Sequence, residues 1–414
     1  MLHYKKNATR RTILSTALAV AALASSGAVL AQAKDVEIGL IAPMSGPWAR
    51  QGEVMKIAAD LAISEINAQG GVKALNGAKL KLAVFDAGES VEKSKNAAQR
   101  MVADGVNLVG ATGAYLSSFT LAVTEVTERA KLPVLTFSYA DSITTRGFKY
   151  VFQTSATGDA QAAGSLPALV ALAEKTTGKK PKTIGIVMDN TAASVSFVKP
   201  IKETQLAKLG LELVVDEVFT PPLANATPLI QRVRSKRPDM LLLLPTAIPD
   251  AKLLLEKMNE FGIGKGKMPT ISNGAAILDP DLLTNMNVEQ LEGVMSVVAN
   301  WTTSAQKPMI EEFKKKSGQP WATQHFVTTY GDMWIFKAAL EAAGKADREA
   351  VAEALRKMDL SNGPADYFPG GKLKFDAAGR REGASLLIVQ WQNGIPVTVY
   401  PEKESLAAPN WPKN

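Results

Sequence analysis

The chain has 414 residues, of which 46% are hydrophobic, with 47 Lys and Arg against 40 Asp and Glu and no cysteine. The missing cysteine excludes a disulfide framework, a thiolate metal cluster and a cysteine nucleophile. The formal charge of +7 overstates the basicity of the body of the protein, because the first 33 residues hold Lys5, Lys6, Arg10 and Arg11 and no acid; beyond them 43 basic residues face 40 acidic ones, a net +3. Those charges are interspersed, with no basic stripe alternating with aromatics, so nucleic acid is not expected as a partner.

The basic start leads into an apolar stretch from Ile13 to Leu30 and ends on Ala31-Gln32-Ala33. This is the pattern of a cleaved export signal, which places the start of the mature chain at Lys34. An uncleaved anchor is the alternative, although Ala, Ser and Gly make the stretch weakly apolar. Thr9-Arg10-Arg11-Thr12-Ile13-Leu14 resembles a twin-arginine signal, and an ordinary secretory signal fits as well. No later run of about 18 unbroken apolar residues argues for a membrane span. The remaining chain, about 380 residues, exceeds what one hydrophobic core usually serves, so two lobes are expected.

Val36 to Ile41 reads as a short buried parallel strand, followed by a Pro43/Gly46/Pro47 turn. Over Glu53 to Asn67, Val54, Ile57, Ala58, Leu61, Ala62 and Ile66 recur at helical spacing, and Gly70-Gly71 supplies a stop. Strand candidates continue at Leu80 to Phe85, Leu108 to Gly110, Pro133 to Phe137, Thr183 to Met188, Leu211 to Phe219 and Met240 to Leu244. Helices fall between them, among them Ala193 to Leu209, Thr227 to Ser235 and Asp250 to Phe261. The alternation predicts an α/β fold with doubly wound, parallel-dominated sheets. Three helical segments follow (Lys307 to Lys316, Thr323 to Ala343, Arg348 to Met358), then the Pro- and Gly-rich stretch Asn362 to Gly371. Closing strands are expected at Leu373 to Phe375, Leu386 to Trp391 and Val397 to Tyr400, with Asn393-Gly394 as a hairpin turn.

The inventory of reactive groups gives little support to an enzyme. Past the signal a single histidine, His325, remains in an aromatic helical segment, where packing is the simpler reading. No Gly-x-Ser-x-Gly or His-Glu-x-x-His motif occurs. Gly262-Ile263-Gly264-Lys265-Gly266-Lys267 lacks the hydroxyl residue of a phosphate loop and follows a helix, so it reads as a solvated turn. Asp189, Asp279 and Asp281 lie in separate loops, where turn formation or capping accounts for them. Neither a metal nor a cofactor is expected.

Taken in order, several segments resemble the periplasmic solute-binding proteins of ABC importers, in the group that includes the Leu/Ile/Val-binding proteins. They are Val36 to Gly71, then Gly113-Ala114-Tyr115-Leu116-Ser117-Ser118-Phe119-Thr120, Leu132-Pro133-Val134, Arg146 to Phe152, Ile184 to Asn190 and Lys372 to Gly379. The resemblance implies two Rossmann-like lobes of the type I periplasmic binding fold, joined by three crossings and closing like a hinge on a small-molecule ligand. It assigns 34–153 plus 246–362 to the first lobe and 154–245 plus 363–414 to the second, with crossings near Thr154, Pro245 and Asn362 to Gly371. It further implies a periplasmic monomer that hands its ligand to a membrane-embedded ABC permease; a periplasmic sensor presenting its closed form to a receptor is the alternative.

For the site, Ser117, with Ser118 and Thr120, stands where a strand-end loop enters a helix expected to begin near Phe119. Free N–H groups and hydroxyls there suit a carboxylate, or a serine simply caps the helix. In the family the serine at this place binds the ligand's carboxylate, and a second loop adds contacts; here that loop reads Thr136-Phe137-Ser138-Tyr139-Ala140. Tyr115, Trp48, Phe137 and Tyr139 either line the cleft or belong to the core. Arg50 is a nearby cation for an anion or a solvated helix-start residue, and Asp189, Asn190 or Asn273 offer acceptors. The resemblance also shows departures: where amino-acid-binding members have a threonine in the second loop, an aromatic in the second lobe and an acid that holds the ammonium, this chain aligns Tyr139-Ala140, Ala193 and Leu223-Ala224, so the ammonium anchor is missing. A buried ammonium without an acceptor is costly, which favours an aromatic or hydrophobic carboxylate over an α-amino acid.

Overall fold

The computed structural model describes residues 34–104, 107–284, 286–302 and 306–410, so the expected export signal lies outside the described residues. The first sheet is built from β1 (Val36–Ala42), β2 (Leu80–Asp86), β3 (Leu108–Gly113), β4 (Val134–Thr136) and β5 (Val151–Gln153), all parallel, in the order β2-β1-β3-β4-β5. Every residue of β1 except Glu37 is buried, because helices cover both faces of a parallel sheet. Helix α1 (Ala49–Ala68) starts four residues before Glu53, since Pro47 in the preceding turn needs no N–H partner. It ends before Gly70 and Gly71, whose φ angles of +103° and +74° a side chain would resist. Helices α2 (Val91–Asp104) and α3 (Ser117–Arg129) lie on the opposite face.

The chain then leaves for a second sheet. Helix α4 (Gly158–Thr177), β6 (Thr183–Asp189), α5 (Ala192–Pro200), β7 (Glu212–Phe219), α6 (Thr227–Lys236), β8 (Met240–Leu244), α7 (Ile248–Glu260), β9 (Thr270–Asn273) and β10 (Met295–Val298) follow in succession. The single helix expected over Ala193 to Leu209 is interrupted. Pro200 has no N–H to give, and beyond it the chain takes a wider π turn over Ile201–Gln205 before a last α turn, Leu206–Leu209.

After β10 the chain returns to the first lobe as α8 (Lys307–Ser317), α9 (Gln324–Ala343) and α10 (Arg348–Arg356), which share one apolar core with α1. A short ribbon of β11 (Asp359–Leu360) and β12 (Leu373–Lys374) follows. Helix α9 lies so close to β3 that a Cβ on Gly110 would sit 2.2 Å from the Phe336 ring. The closing strands β13 (Leu387–Gln392) and β14 (Ile395–Tyr400) complete a seven-stranded sheet, β14-β13-β10-β9-β8-β6-β7, in which β13 alone runs against the other six strands. Asn393 and Gly394 turn between them with φ of +53° and +86°, both left-handed, as a two-residue hairpin demands.

The α/β class with two parallel-dominated sheets is therefore as expected, and the partition between them needs correction. Residues 246–298 were expected in the first lobe, yet β9 and β10 continue the second sheet beside β8, so the chain returns to the first lobe after β10 and not at Pro245. Likewise Leu373 and Phe375 were expected in the second lobe but pack in the first lobe's core, so the third crossing falls after Phe375 and not within 362–371. In each sheet the strand order reverses direction once among parallel strands, between β1 and β3 and between β6 and β8. Such switch points open a crevice at the carboxyl ends of the strands.

Candidate functional site

The two crevices face each other around a small cavity of about 50 Å³, room for a few waters. The first lobe contributes Tyr115, Leu116, Phe137 and Tyr139 from the ends of β3 and β4, together with Gln324 and His325 from the start of α9. From the second lobe come Ala193, Ser194, Pro245, Thr246 and Asn273, with Ala275 and Ala276 behind them.

The first-lobe wall is aromatic and held rigidly. The Tyr115 and Phe137 rings stack with centroids 6.0 Å apart, and His325 stands edge-on to both, at 4.6 and 5.5 Å. Burial pushes the His325 pKa down to about 3, so the imidazole is neutral. The Tyr139 hydroxyl donates to Gln324 Oε1 at 2.6 Å, and the Ala299 N–H reaches the same oxygen at 3.3 Å. Burial raises the phenol pKa of both Tyr115 and Tyr139, keeping them neutral as well.

Ser117 does not cap the helix, the second of the two readings given for it. It is the first residue of α3 and makes no capping bond; its buried Oγ accepts the N–H groups of Tyr139 and Ala140, each at 3.1 Å, and so fixes the second loop against the helix. Ser138 points inward, its hydroxyl set among Thr120 Oγ1 (2.6 Å), Thr136 Oγ1 (3.0 Å) and the carbonyls of Ala114 (3.0 Å) and Tyr115 (2.7 Å). Thr120 also donates to the Ala114 carbonyl. These bonds hold Ala114 at φ +40°, a conformation that a residue with a Cβ adopts only under constraint. Ser118 Oγ takes the Ala192 N–H at 3.3 Å and thereby joins the lobes.

Of the remaining expected residues, Asn273 lines the cavity while its amide donates to Gln161 Oε1 at 2.8 Å. Trp48 is buried against Phe119 beside the cavity, with its indole N–H unpartnered. Arg50 is spent on Glu53 at 2.8 Å and, across the lobes, on Asp281 at 3.3 Å. Asn190 is exposed, bonds Thr220 Oγ1 at 2.8 Å and does not reach the cavity. Asp189 is fully occupied: its carboxylate takes the N–H and hydroxyl of both Thr191 and Thr246 and the hydroxyl of Ser194, at 2.6–3.1 Å. The turn-forming reading of this residue was the right one. Asp279, with its pKa raised to about 7 by burial, accepts the Asp281 N–H in the same manner.

Sequence reasoning missed Gln324, Thr246, Ser194 and Gln51, a buried residue next to Arg50 whose two amide atoms have no partner. The signal for Gln324 was a polar Thr-Gln-His step ahead of an otherwise apolar helix.

Four helices begin around the cavity: α3 behind Leu116, α5 behind Thr191, α7 behind Ala247 and α9 behind Thr323. None of the four N-cap residues caps its helix with its own side chain, but the first N–H of α5 is taken by Ser118 Oγ, and the first turn of α7 holds Pro249, which has no N–H, and the carboxyl of Asp250. Each start presents N–H groups without helical partners and the positive end of a macrodipole. No Asp, Glu, Lys or Arg stands among the lining residues. Among the described residues, no group of three or more His, Asp or Glu side chains is arranged to hold a metal, and no helix is long and apolar enough to cross a membrane.

Two parallel-sheet lobes closed on a buried cavity at their switch points define a solute-binding protein of the type I periplasmic binding fold. The periplasmic binding protein family matches residues 35–395, and the chain belongs to it. The Leu/Ile/Val-binding protein homolog 8 of Brucella suis biovar 1 is 29% identical over 407 residues, 96% of this chain and 98% of the relative. Among solved structures, a leucine-binding protein from Thermotoga maritima MSB8 is similar with a TM-score of 0.72 at 21% identity, covering 88% of this chain and 97% of that one. An ABC-transporter solute-binding protein from R. palustris in complex with benzoate is similar with a TM-score of 0.74 at 16% identity, covering 91% and 97%. By its family the chain is thus a binding protein and not an enzyme.

Proposed function

We propose that the protein, exported to the periplasm as a monomer, binds a small carboxylate without an amino group, aromatic or otherwise apolar, between its lobes and hands it to an ABC permease. The supporting observation is that α3, α5 and α9 begin at the cavity, none capped by its own N-cap side chain, around a lining that holds no charged side chain. Such a site favours an anion and offers an ammonium nothing, because the nearest second-lobe carboxylate, Asp189, has its oxygens engaged. Tyr115, Phe137 and Tyr139 would flank an apolar body, with the backbone N–H groups in the first turns of α3 and α5 at the carboxylate. The cavity is far smaller than the roughly 300–1,000 Å³ of ligand pockets, so binding requires the lobes to part and reclose. That this fold accommodates an aromatic acid is evident from the benzoate complex; the choice for this chain rests on its own lining.

Thermal melting of refolded, ligand-stripped 34–414 tests the reading. A ligand at 100 times its dissociation constant stabilises by about 2.7 kcal/mol, a plain shift in the melt. Benzoate or a related acid is expected to raise the transition while leucine leaves it in place. The reverse result would make this an amino-acid binder and sink the proposal.

A further inference from the structure

A larger cavity lies at the other end of the second lobe, at the amino ends of β6, β8 and β9, and measures about 810 Å³. Three helix-to-strand loops build it: Lys179-Lys180-Pro181 after α4, Arg237-Pro238-Asp239 after α6, and the loop from Phe261 to Pro269 after α7, which contains the glycine- and lysine-rich turn noted in the sequence. A proline precedes each strand, at Pro181, Pro238 and Pro269, and its fixed φ stiffens the floor.

Five cations surround this recess: Lys179, Lys180, Arg234, Arg237 and Lys267. Elsewhere surface lysines are neutralised at close range, as in Lys93–Glu89 (2.7 Å), Lys202–Asp216 (2.5 Å) and Lys357–Glu353 (2.6 Å). Among the described residues none of the five forms such a bridge. The one carboxylate in the lining, Asp239, is turned to the backbone, accepting the N–H groups of Lys182 (2.8 Å) and Thr183 (3.0 Å). Three helix C-termini also end here, and complementing their dipoles is the simplest use of a cation. Each contributes roughly half a negative charge, however, so that even with Asp239 counted in full a surplus of roughly two positive charges remains. Arg234 further lies 5.5 Å from the centroid of the Phe261 ring, which places an apolar patch beneath the charged rim.

We propose that this recess is a second binding site, distinct from the inter-lobe cavity, for a compact soluble anion carrying several phosphoryl groups. Its volume falls within the roughly 300–1,000 Å³ of small-molecule sites, and its cations come from three loops, which matches charges spread along one molecule better than a single phosphate. Both arginines can grip phosphoryl oxygens with two N–H groups at once, while the lysines act as point charges. A concave recess between loops suits a compact anion better than the flat surface of a bilayer.

The test is calorimetric titration of inorganic triphosphate into the 34–414 chain at constant ionic strength, without divalent cations. Saturable binding is expected, weakened at least ten-fold in Lys180→Gln/Lys267→Gln and by less than two-fold in Lys345→Gln/Lys357→Gln, which removes the same charge from the first lobe. Both pairs are exposed, so their melting temperatures should match the parent and separate lost binding from lost folding. Absence of saturable binding overturns the proposal, as does equal weakening in both variants, which would reduce the effect to net charge. Sedimentation with phosphatidylglycerol vesicles without any triphosphate binding also overturns it, in favour of a membrane surface. The site does not depend on what the cleft binds, and the melts with benzoate and leucine stand apart from this result.

Discussion

The first lobe meets the cavity with rings, Tyr115, Phe137, Tyr139 and His325, while the second meets it with Ala193, Ser194, Pro245 and Thr246. Rings locked by hydrogen bonds define a shape and resist change; small residues at helix starts leave the backbone N–H groups uncovered and define a charge preference. The lobes also treat a buried carboxyl differently. Asp189 in the second collects hydrogen bonds on both oxygens, whereas Asp332 in the first, beside β3, has one, from Thr112 Oγ1 at 2.6 Å, and leaves Oδ1 unpartnered. Burial accordingly lifts the Asp332 pKa to about 8, and the carboxyl stays protonated through neutrality. The first lobe thus adds no charge behind its aromatic wall.

Placing a carboxylate in the second-lobe wall should have the largest effect. Two like charges about 4 Å apart at an effective dielectric near 20 repel by about 4 kcal/mol, so Ala193→Asp should weaken a bound carboxylate roughly 1,000-fold by titration. Unchanged affinity would break the assignment of charge preference to the second lobe. The first lobe's buried acid comes next. A carboxyl whose folded pKa lies above its usual 3.8 gives its full stability below pH 4 and loses it as pH climbs toward 8. Asp332→Asn should therefore gain on the parent in urea melts as pH rises from 5 to 8, by on the order of 2 kcal/mol or more at the upper end. A constant difference across that range would mean that Asp332 does not titrate there.

The aromatic wall can be loosened at Gln324. Gln324→Leu strips the acceptor from both the Tyr139 hydroxyl and the Ala299 N–H, and about 2 kcal/mol of stability should go with it. Ser117→Ala leaves two N–H groups unmatched and should cost about 1.5 kcal/mol in the melt, with a parallel loss of affinity as Tyr139 shifts. An affinity loss without a stability loss would reassign the hydroxyl to the ligand itself. Asn190→Ala is expected to change ligand affinity by less than about 0.5 kcal/mol, as a surface substitution away from the cavity.

Much of the architecture was legible because its signals are local. β1 is an apolar run broken only by Glu37, α1 repeats at helical spacing, and Asn393-Gly394 announces a hairpin. β9 and β10 were not legible: Thr270–Asn273 and Met295–Val298 are four residues each, too short for a period, and their sheet is decided by neighbours distant in sequence. The same limit applied at the site. The sequence pointed to the Ser117 neighbourhood, but that its oxygen would be claimed by N–H groups 22 and 23 residues away depends on how two loops meet. Gln324 was hidden because α9 is buried on nearly every side, which leaves no polar face from which a functional amide would stand out.

Arg381 is almost wholly buried where the chain passes back toward β13, and no carboxylate answers it. Its guanidinium instead donates to the carbonyls of Thr154 (2.7 Å), Pro369 (3.0 Å) and Lys372 (3.0 Å), while its own N–H donates to the carbonyl of Gln153. One side chain therefore rivets the first connection between the lobes to the approach of the third. Two connections pinned together cannot slide past one another, so the lobes keep a common seam as they move apart. Under the proposed opening the lobes would turn like a door on one pin, and each closing would return the same two walls to the same register.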